Sequence, residues 1–174
     1  MTDMNRQSSV VSRQLGSHSR FTTHESRPPR TAFLSQTTMF SSETKVRVRY
    51  GETDQMGVVY HSNYFLYYEV SRAESIRHLG FTYADMEKMG VIMPVIEVQS
   101  KFLRPALYDD LLTIKTLLKE LPLNHKIEFD HEVYNQREEL LATGRIVLYF
   151  VDAKTKKRTT MPAELRKKIE PYFI

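Results

Sequence analysis

The sequence has no cysteine among its 174 residues, which excludes disulfide bonds, thiolate zinc sites and cysteine nucleophiles. It also lacks any apolar run near the roughly 18 residues that a membrane span needs. The segment "GETDQMG" lacks the lysine and glycine pattern of a phosphate-binding loop. No second histidine lies at metal-ligand spacing from His61. We therefore expect no membrane span, no cofactor and no metal, and the absence of cysteine fits a cytoplasmic protein.

The positive charge is unevenly distributed along the chain. The sequence pI is about 9.2, but residues 1–42 hold five arginines against Asp3 and Glu25. Residues 43–174 hold 20 basic and 19 acidic residues, a net charge of +1. A nearly neutral folded region lacks the basic footprint of a nucleic-acid-binding protein, so nucleic acid is not an expected partner.

The first 42 residues differ from the rest in composition. They are rich in serine, threonine and arginine and show no hydrophobic period. Three interpretations remain open: a disordered tail, an arginine-rich transit peptide, or a start upstream of a true initiation at Met39. No continuous apolar stretch of a secretory signal is present. We assign residues 1–42 to a tail and residues 43–174 to one folded domain.

Hydrophobic periodicity predicts the secondary structure of the folded domain. "KVRVRY", from Lys45, alternates apolar and polar residues as a half-buried strand does. A helix is predicted from Ser62 to Leu79, with a buried stripe of Leu66, Val70, Ala73, Ile76 and Leu79. A short helix follows at Tyr83–Lys88, and Pro162 can start a terminal helix.

Four further strands are predicted between the second and the last helix. Their sequences are "VIEVQSKFL", "LLTIKTLL", "KIEFDHEVY" and "LLATGRIVLYFV", of which the last is apolar on both faces and therefore central. Consecutive strands after one long helix predict an α+β fold in which an antiparallel sheet of five strands wraps the helix. One sheet and one helix leave a sheet face and an edge uncovered, so we expect a homo-oligomer.

One segment between the first strand and the long helix resembles a known family. "VRVRYGETDQMGVVYHSNYFLYYEVSRAE" is similar to the opening signature of hotdog-fold acyl-CoA thioesterases, in the 4-hydroxybenzoyl-CoA thioesterase family and its Tol-Pal-associated branch. "RPALYDDLLTI" resembles a later stretch of the same family, and the similarity spans roughly residues 44–173. The resemblance implies paired protomers, dimers that stack into tetramers, and an acyl-CoA bound at the protomer interface.

The chemistry of thioester hydrolysis suits this loop. A carboxylate can attack the carbonyl or activate water, and Asp54 precedes a helix start, where free N–H groups and the helix dipole favour negative charge. The same N–H groups can form an oxyanion hole. Gly57 permits close backbone approach. One short piece of chain thus supplies both the attacking group and the oxyanion donors.

The resemblance assigns roles to individual residues. Asp54 falls on the catalytic aspartate, His61 lies near the thioester with its N–H at the oxyanion position, and Tyr50 lines the site. The implied substrate-binding residues are Gly57, Val58, Val59, Tyr60, and, near the CoA phosphates, Asn124, His125 and Lys126.

Other candidates have simpler structural interpretations. We expect Glu52 to be a solvated loop acid, Glu69 a structural helix acid and His131 a core histidine with satisfied hydrogen bonds. The helix tyrosines serve packing first and acyl-pocket lining second; they are Tyr64, Tyr67 and Tyr68.

The sequence therefore predicts an acyl-CoA thioesterase, with Asp54 as either nucleophile or general base. A non-catalytic hotdog protein that engages acyl carrier protein or RNA is the alternative. A hotdog dehydratase would need a different Asp/His or Glu/His arrangement on the helix, so we do not expect one. The acyl chain, the choice between CoA and acyl carrier protein, and the choice between dimer and tetramer stay open at this point.

Overall fold

The computed structural model describes residues 39–173, so the predicted tail lies outside the described residues except for its last four positions. The elements in chain order are β1 (Phe40–Arg47), a 3-10 turn (Tyr50–Glu52), α1 (Asn63–His78), α2 (Tyr83–Lys88), β2 (Val91–Ile92), β3 (Val95–Phe102), β4 (Leu111–Leu118), β5 (Lys126–Tyr134), β6 (Leu140–Tyr149), β7 (Val151–Asp152), α3 (Ala163–Ile169) and a last 3-10 turn (Glu170–Phe173).

Five strands form one antiparallel sheet with α1 on one of its faces. The strand order is β1-β4-β5-β6-β3, and every neighbouring pair is antiparallel. This arrangement confirms the predicted α+β class and the predicted strand count. β2 and β7 form a separate two-stranded sheet, which was not predicted because two residues are too few to show an alternating pattern.

β4 and β5 follow the predicted alternation, and β6 is buried on both faces over part of its length, as its apolar sequence predicted. β6 lies between β5 and β3, which confirms that it is an interior strand. The side chains of β4 and β5 that face α1 are buried, and they are Leu112, Ile114, Thr116, Leu118, Ile127, Phe129, His131 and Val133. The core therefore lies between α1 and the centre of the sheet.

The first strand begins earlier than predicted. β1 starts at Phe40 rather than Lys45, and it ends at Arg47. Its first residues are mostly polar, yet it pairs with β4 along its whole length, beginning with Phe40 opposite Leu118. An edge strand has one hydrogen-bonded neighbour and tolerates polar side chains. The first half of β1 therefore lacks the hydrophobic pattern from which its start could have been predicted. Residues 40–42, which we assigned to the tail, belong to the sheet.

Helix α1 has nearly the predicted bounds but turns a different face to the sheet. Leu66 and Val70, predicted to be buried, are 51% and 45% exposed, whereas Ile76 and Leu79 are buried as predicted. The buried face consists mainly of tyrosines and small polar residues, namely Tyr64, Tyr67, Tyr68, Ser71 and Ser75. Serines let the helix approach the sheet closely, and tyrosine hydroxyls can bond partners inside the core.

The closest approach of helix to sheet occurs over Gly144 in β6. A Cβ atom at Gly144 would lie 2.6 Å from the Tyr68 ring, so any larger residue would displace that ring. Tyr68 is fully buried, and its hydroxyl lies 2.9 Å from the Ser100 hydroxyl on β3. The glycine thus sets the distance at which α1 packs on the sheet.

A layer of polar side chains lies between α1 and the sheet. Ser71 hydrogen-bonds Thr116, whose hydroxyl lies 3.3 Å from Nδ1 of His131. The His131 ring stacks on Tyr68 with a centroid distance of 4.9 Å. Among the described residues Nε2 of His131 is buried without a hydrogen-bond partner. His131 is a core histidine, as predicted, but only one of its two ring nitrogens has a partner.

The buried His131 makes stability depend on pH. Burial, and secondarily the charge of Arg72, lowers the pKa of His131 from 6.5 to about 3. Between these values the unfolded chain binds a proton that the folded chain does not, so the free energy of unfolding falls as the pH falls below 6.5. The free energy of unfolding can fall by at most about 1.4 kcal/mol per pH unit because of His131. Above pH 6.5 His131 causes no pH dependence of stability.

We expect His131→Gln to remove this part of the pH dependence. Urea unfolding at about pH 7.5 and about pH 5 would measure it. All samples are compared at one protein concentration, because the stability of any oligomer would depend on concentration. Between about pH 7.5 and about pH 5, the free energy of unfolding of the wild type should fall by about 2 kcal/mol more than that of the variant. The exposed His78 provides the control His78→Gln, which should behave as wild type. Equal losses in wild type and His131→Gln would contradict the assignment.

None of the helices between residues 39 and 173 has the length and hydrophobicity of a membrane span.

Candidate active site

The loop between the first 3-10 turn and α1 is a tight hairpin. Thr53 pairs with Val59 in an antiparallel bridge, the N–H of Asp54 donates to the Val58 carbonyl at 2.9 Å, and the Gly57 N–H donates to the Asp54 carbonyl at 2.9 Å. Gly57 has φ +74°, a conformation that favours glycine. The turn therefore requires Gly57, and it fixes the backbone on both sides of Asp54.

The Asp54 side chain retains one free carboxylate oxygen. Oδ1 accepts a hydrogen bond from the Met56 N–H at 2.8 Å, which holds the carboxylate in one orientation. Oδ2 accepts no hydrogen bond from any of residues 39–173. A half-buried carboxylate with one free oxygen can take a proton from water or attack a carbonyl carbon.

Asp54 borders a cleft of about 360 Å³ at the end of β3. We call it the Asp54 cleft, and its lining residues are Asp54, Met56, Val58, Val59, His61, Tyr64, Phe102, Leu103, Arg104 and Pro105. The Phe102 ring packs edge-on against Tyr64 at 5.1 Å and lies 6.4 Å from the His61 ring. Its walls are thus mainly apolar and aromatic, as is usual for a site that binds an organic group.

Free backbone donors lie where α1 begins. The N–H groups of Asn63 and Tyr64 already donate to the carbonyls of Tyr60 and His61. In the described part of the chain, the N–H groups of His61 and Ser62 make no hydrogen bond. Unpaired N–H groups at the start of a helix attract negative charge. The His61 N–H is therefore an available oxyanion donor beside the cleft.

The structure brings together some of the predicted site residues. Asp54, Val58, Val59 and His61 line the Asp54 cleft, and Gly57 lies in the same hairpin. Two tyrosines lie outside its lining. Tyr60 is exposed with its ring against His61 at 4.3 Å. Tyr50 is 80% exposed and packs edge-on against Tyr108 at 5.8 Å.

The other predicted substrate-binding residues lie elsewhere on the chain. Asn124 and Lys126 border a second cavity of about 390 Å³ at the β4–β5 connection, which shares no lining residue with the Asp54 cleft. His125 packs edge-on against Tyr149 at 4.8 Å. The Arg158 guanidinium also lies 4.5 Å from the centre of the Tyr149 ring. In the single chain, these residues and Asp54 therefore lie at two separate places.

The prediction that Glu52 is a solvated loop acid is wrong. Glu52 is 5% exposed, and its carboxylate accepts hydrogen bonds from Arg49 and from the Tyr67 hydroxyl. Burial opposes its ionisation, but the bonds from Arg49 and Tyr67 outweigh burial and lower the pKa of Glu52. Arginine three residues ahead of glutamate was the only sequence signal for this pair, whereas the Tyr67 contact had none.

The described residues contain no cluster of side chains that could bind a metal ion. No three histidine, aspartate or glutamate side chains between residues 39 and 173 are close enough together to hold an ion.

Comparison with known proteins shows similarity to thioesterases. The model of the thioesterase-like superfamily matches residues 48–169. YneP of Bacillus subtilis (strain 168), named as a candidate acyl-CoA thioesterase, is 36% identical over 129 residues, covering 74% of this chain and 90% of YneP. The acyl-CoA thioester hydrolase YbgC of Escherichia coli O6:H1 is 30% identical over 120 residues, covering 69% of this chain and 89% of YbgC.

A solved structure shows the same fold. The DHNA-CoA thioesterase from Staphylococcus aureus superposes with a TM-score of 0.65 and 36% identity, covering 69% of this chain and 80% of that one. The five-stranded sheet around α1 is thus the hotdog arrangement that the sequence signature implied. Because the family model covers most of the described domain, the chain belongs to the thioesterase-like superfamily.

Proposed function

We propose that the protein hydrolyses an acyl-CoA thioester to a carboxylic acid and free CoA, with Asp54 as the catalytic carboxylate. The observation that carries this proposal is the free Oδ2 of Asp54 in an apolar cleft beside the unpaired His61 N–H. The names of YneP, YbgC and the Staphylococcus aureus enzyme support the thioester substrate.

The reaction divides between two groups of the loop. Asp54 either removes a proton from water as the water oxygen attacks the thioester carbonyl, or attacks that carbon itself and forms an anhydride that water then hydrolyses. In both routes the carbonyl oxygen gains negative charge, and the His61 N–H can stabilise it. Collapse of the adduct breaks the carbon–sulfur bond and releases the CoA thiolate, which takes up a proton.

We further propose that the CoA phosphates contact the segment Asn124–Lys126. Lys126 lies beside the second cavity, where it forms an ion pair with Glu128 that an incoming phosphate would replace. The Asn124 side chain accepts from the Lys126 N–H at 2.8 Å, which fixes the turn. An ammonium group is a common phosphate ligand. The aromatic and aliphatic walls of the Asp54 cleft then select an acyl group that is itself apolar or aromatic.

A homodimer is the assembly that we propose for the active protein. Within residues 39–173, β3 pairs with β6 alone, which leaves the backbone groups of its other edge unpaired there. The β3 side chains of Val95, Ile96 and Val98 are exposed. Phe102 at the end of β3 lines the Asp54 cleft, so a partner at this edge would border the site. Phe65, Leu66 and Val70 on α1 offer a second apolar face through which dimers could form tetramers.

A thiol-release assay tests the proposed reaction. Because the protein has no cysteine, a thiol reagent reports only the CoA or carrier thiol that the reaction liberates. We expect release from at least one member of a panel of short, medium and long aliphatic acyl-CoAs, aromatic acyl-CoAs and acyl carrier protein thioesters. No release above the rate without enzyme from any member would overturn the proposal and favour a non-catalytic binding protein.

A further inference from the structure

The Glu52 carboxylate joins two elements that flank the Asp54 hairpin. Its Oε2 accepts from the Arg49 N–H at 2.8 Å and from the Tyr67 hydroxyl at 2.8 Å, and its Oε1 accepts from Arg49 Nε at 2.8 Å. Arg49 precedes the 3-10 turn, and Tyr67 lies on the buried face of α1. One side chain therefore ties the entry of the loop to the helix that follows it.

The backbone of Glu52 closes the same loop a second time. Its carbonyl oxygen accepts from the Asn63 side-chain amide at 2.7 Å and from the Tyr60 N–H at 2.9 Å. Tyr60 and Asn63 bracket the His61 N–H, and Asp54 lies two residues after Glu52. Both groups that carry the proposed chemistry thus lie on a loop whose two ends meet at Glu52.

Neither a catalytic role nor surface stability accounts for this carboxylate. Both of its oxygens already accept hydrogen bonds, and it does not line the Asp54 cleft. Its ion-pair partner Arg49 is largely exposed, and an ion pair with an exposed partner contributes little stability. Burying a carboxylate opposes folding unless its hydrogen bonds compensate. We therefore attribute the role of the Glu52 carboxylate to the loop geometry that its hydrogen bonds impose.

We propose that Glu52 is a positioning residue that holds Asp54 and the His61 N–H in their reactive arrangement. It acts through the loop and does not touch the substrate. The inference rests on the proposed function, because it assumes that Asp54 is the catalytic carboxylate.

Glu52→Gln tests this role. An amide has one acceptor oxygen where the carboxylate has two, so it cannot accept all the hydrogen bonds that Arg49 and Tyr67 donate to Glu52, and the loop loses part of its anchor. We expect kcat to fall about 10- to 100-fold while KM changes little, measured well below the melting temperature. Tyr67→Phe removes one hydrogen bond to the carboxylate and should give a smaller fall in kcat.

Asp85→Asn is the matched control. Asp85 also accepts several hydrogen bonds, from Thr82 at the start of α2, and these bonds lower its pKa. It lies on another helix and does not line the Asp54 cleft. Asp85→Asn should change the melting temperature without changing kcat, which separates a general loss of stability from a loss of positioning.

A double-mutant cycle with Asp54→Asn decides whether Glu52 acts through Asp54. If it does, Glu52→Gln should lower kcat much less in the Asp54→Asn background than in wild type. The proposal would be overturned if the fall in kcat of the double variant equalled the product of the falls in the two single variants. It would also be overturned if Glu52→Gln and Tyr67→Phe both lowered the melting temperature and left kcat unchanged. Full activity of Asp54→Asn alone would instead refute the proposed catalytic role of Asp54, whatever the Glu52 variants do.

Discussion

Asp54→Asn should lower the thioesterase kcat by about 100-fold or more while the protein stays folded. An amide neither attacks the thioester carbonyl nor takes a proton from water, whereas the apolar walls of the Asp54 cleft and the His61 N–H are unaffected. The variant should therefore still bind acyl-CoA. A large fall in kcat with a small change in KM is the pattern of a lost transition-state interaction.

Steady-state kinetics with circular dichroism on the same samples would measure the effect. The oxygen that accepts the Met56 N–H can be kept by the asparagine side chain, so the hairpin has no reason to unfold. His61→Ala is the comparison variant, and its effect should be milder because the His61 N–H survives the substitution. A folded Asp54→Asn protein with more than about a tenth of the wild-type kcat would show a loss below about 1.4 kcal/mol. That result would rule out the proposed role.

The elements that depend on local pattern were predicted well from the sequence. α2 has the predicted bounds, α1 differs by one residue at each end, and β4 and β5 bury the predicted alternate side chains. In each of these elements the hydrophobic period repeats over several residues of one continuous segment, so the segment alone identifies the element. The motif that singled out the Asp54 loop is contiguous as well, but the hairpin that this loop forms was not predicted.

The features that depend on distant contacts were not predicted. The wall of the Asp54 cleft at Phe102–Pro105 comes from the end of β3, far along the chain from Asp54. The burial of Glu52 depends on Tyr67, fifteen residues away and on the face of α1 that the apolar pattern did not select. The buried face of α1 carries hydroxyl groups, so its sequence has the pattern of an exposed polar face. The partners that satisfy these hydroxyls, such as Ser100 for Tyr68, come from other elements and are not evident from the helix sequence.

Val98→Lys should convert the protein to monomers and abolish most of its activity. Val98 is 39% exposed on β3 in the single chain, so a lysine there can extend its ammonium group into water at little cost. If a second β3 pairs along this edge, the same ammonium group loses its hydration inside an apolar contact, which is strongly unfavourable. The variant should thus keep the protomer fold while losing the dimer.

Light scattering and the thiol-release assay on the same samples measure both consequences. Wild type should exceed the monomer mass of 20.5 kDa at least twofold, whereas Val98→Lys should approach that mass and lose activity. Met89→Lys places the same charge at another exposed apolar side chain, after α2, and should leave mass and turnover unchanged. Because Phe102 continues β3 into the Asp54 cleft, uncovering this edge should also expose the bound acyl group to water. A wild-type monomer with full turnover, or a Val98→Lys dimer with full turnover, would show that the β3 edge is not the interface that completes the site.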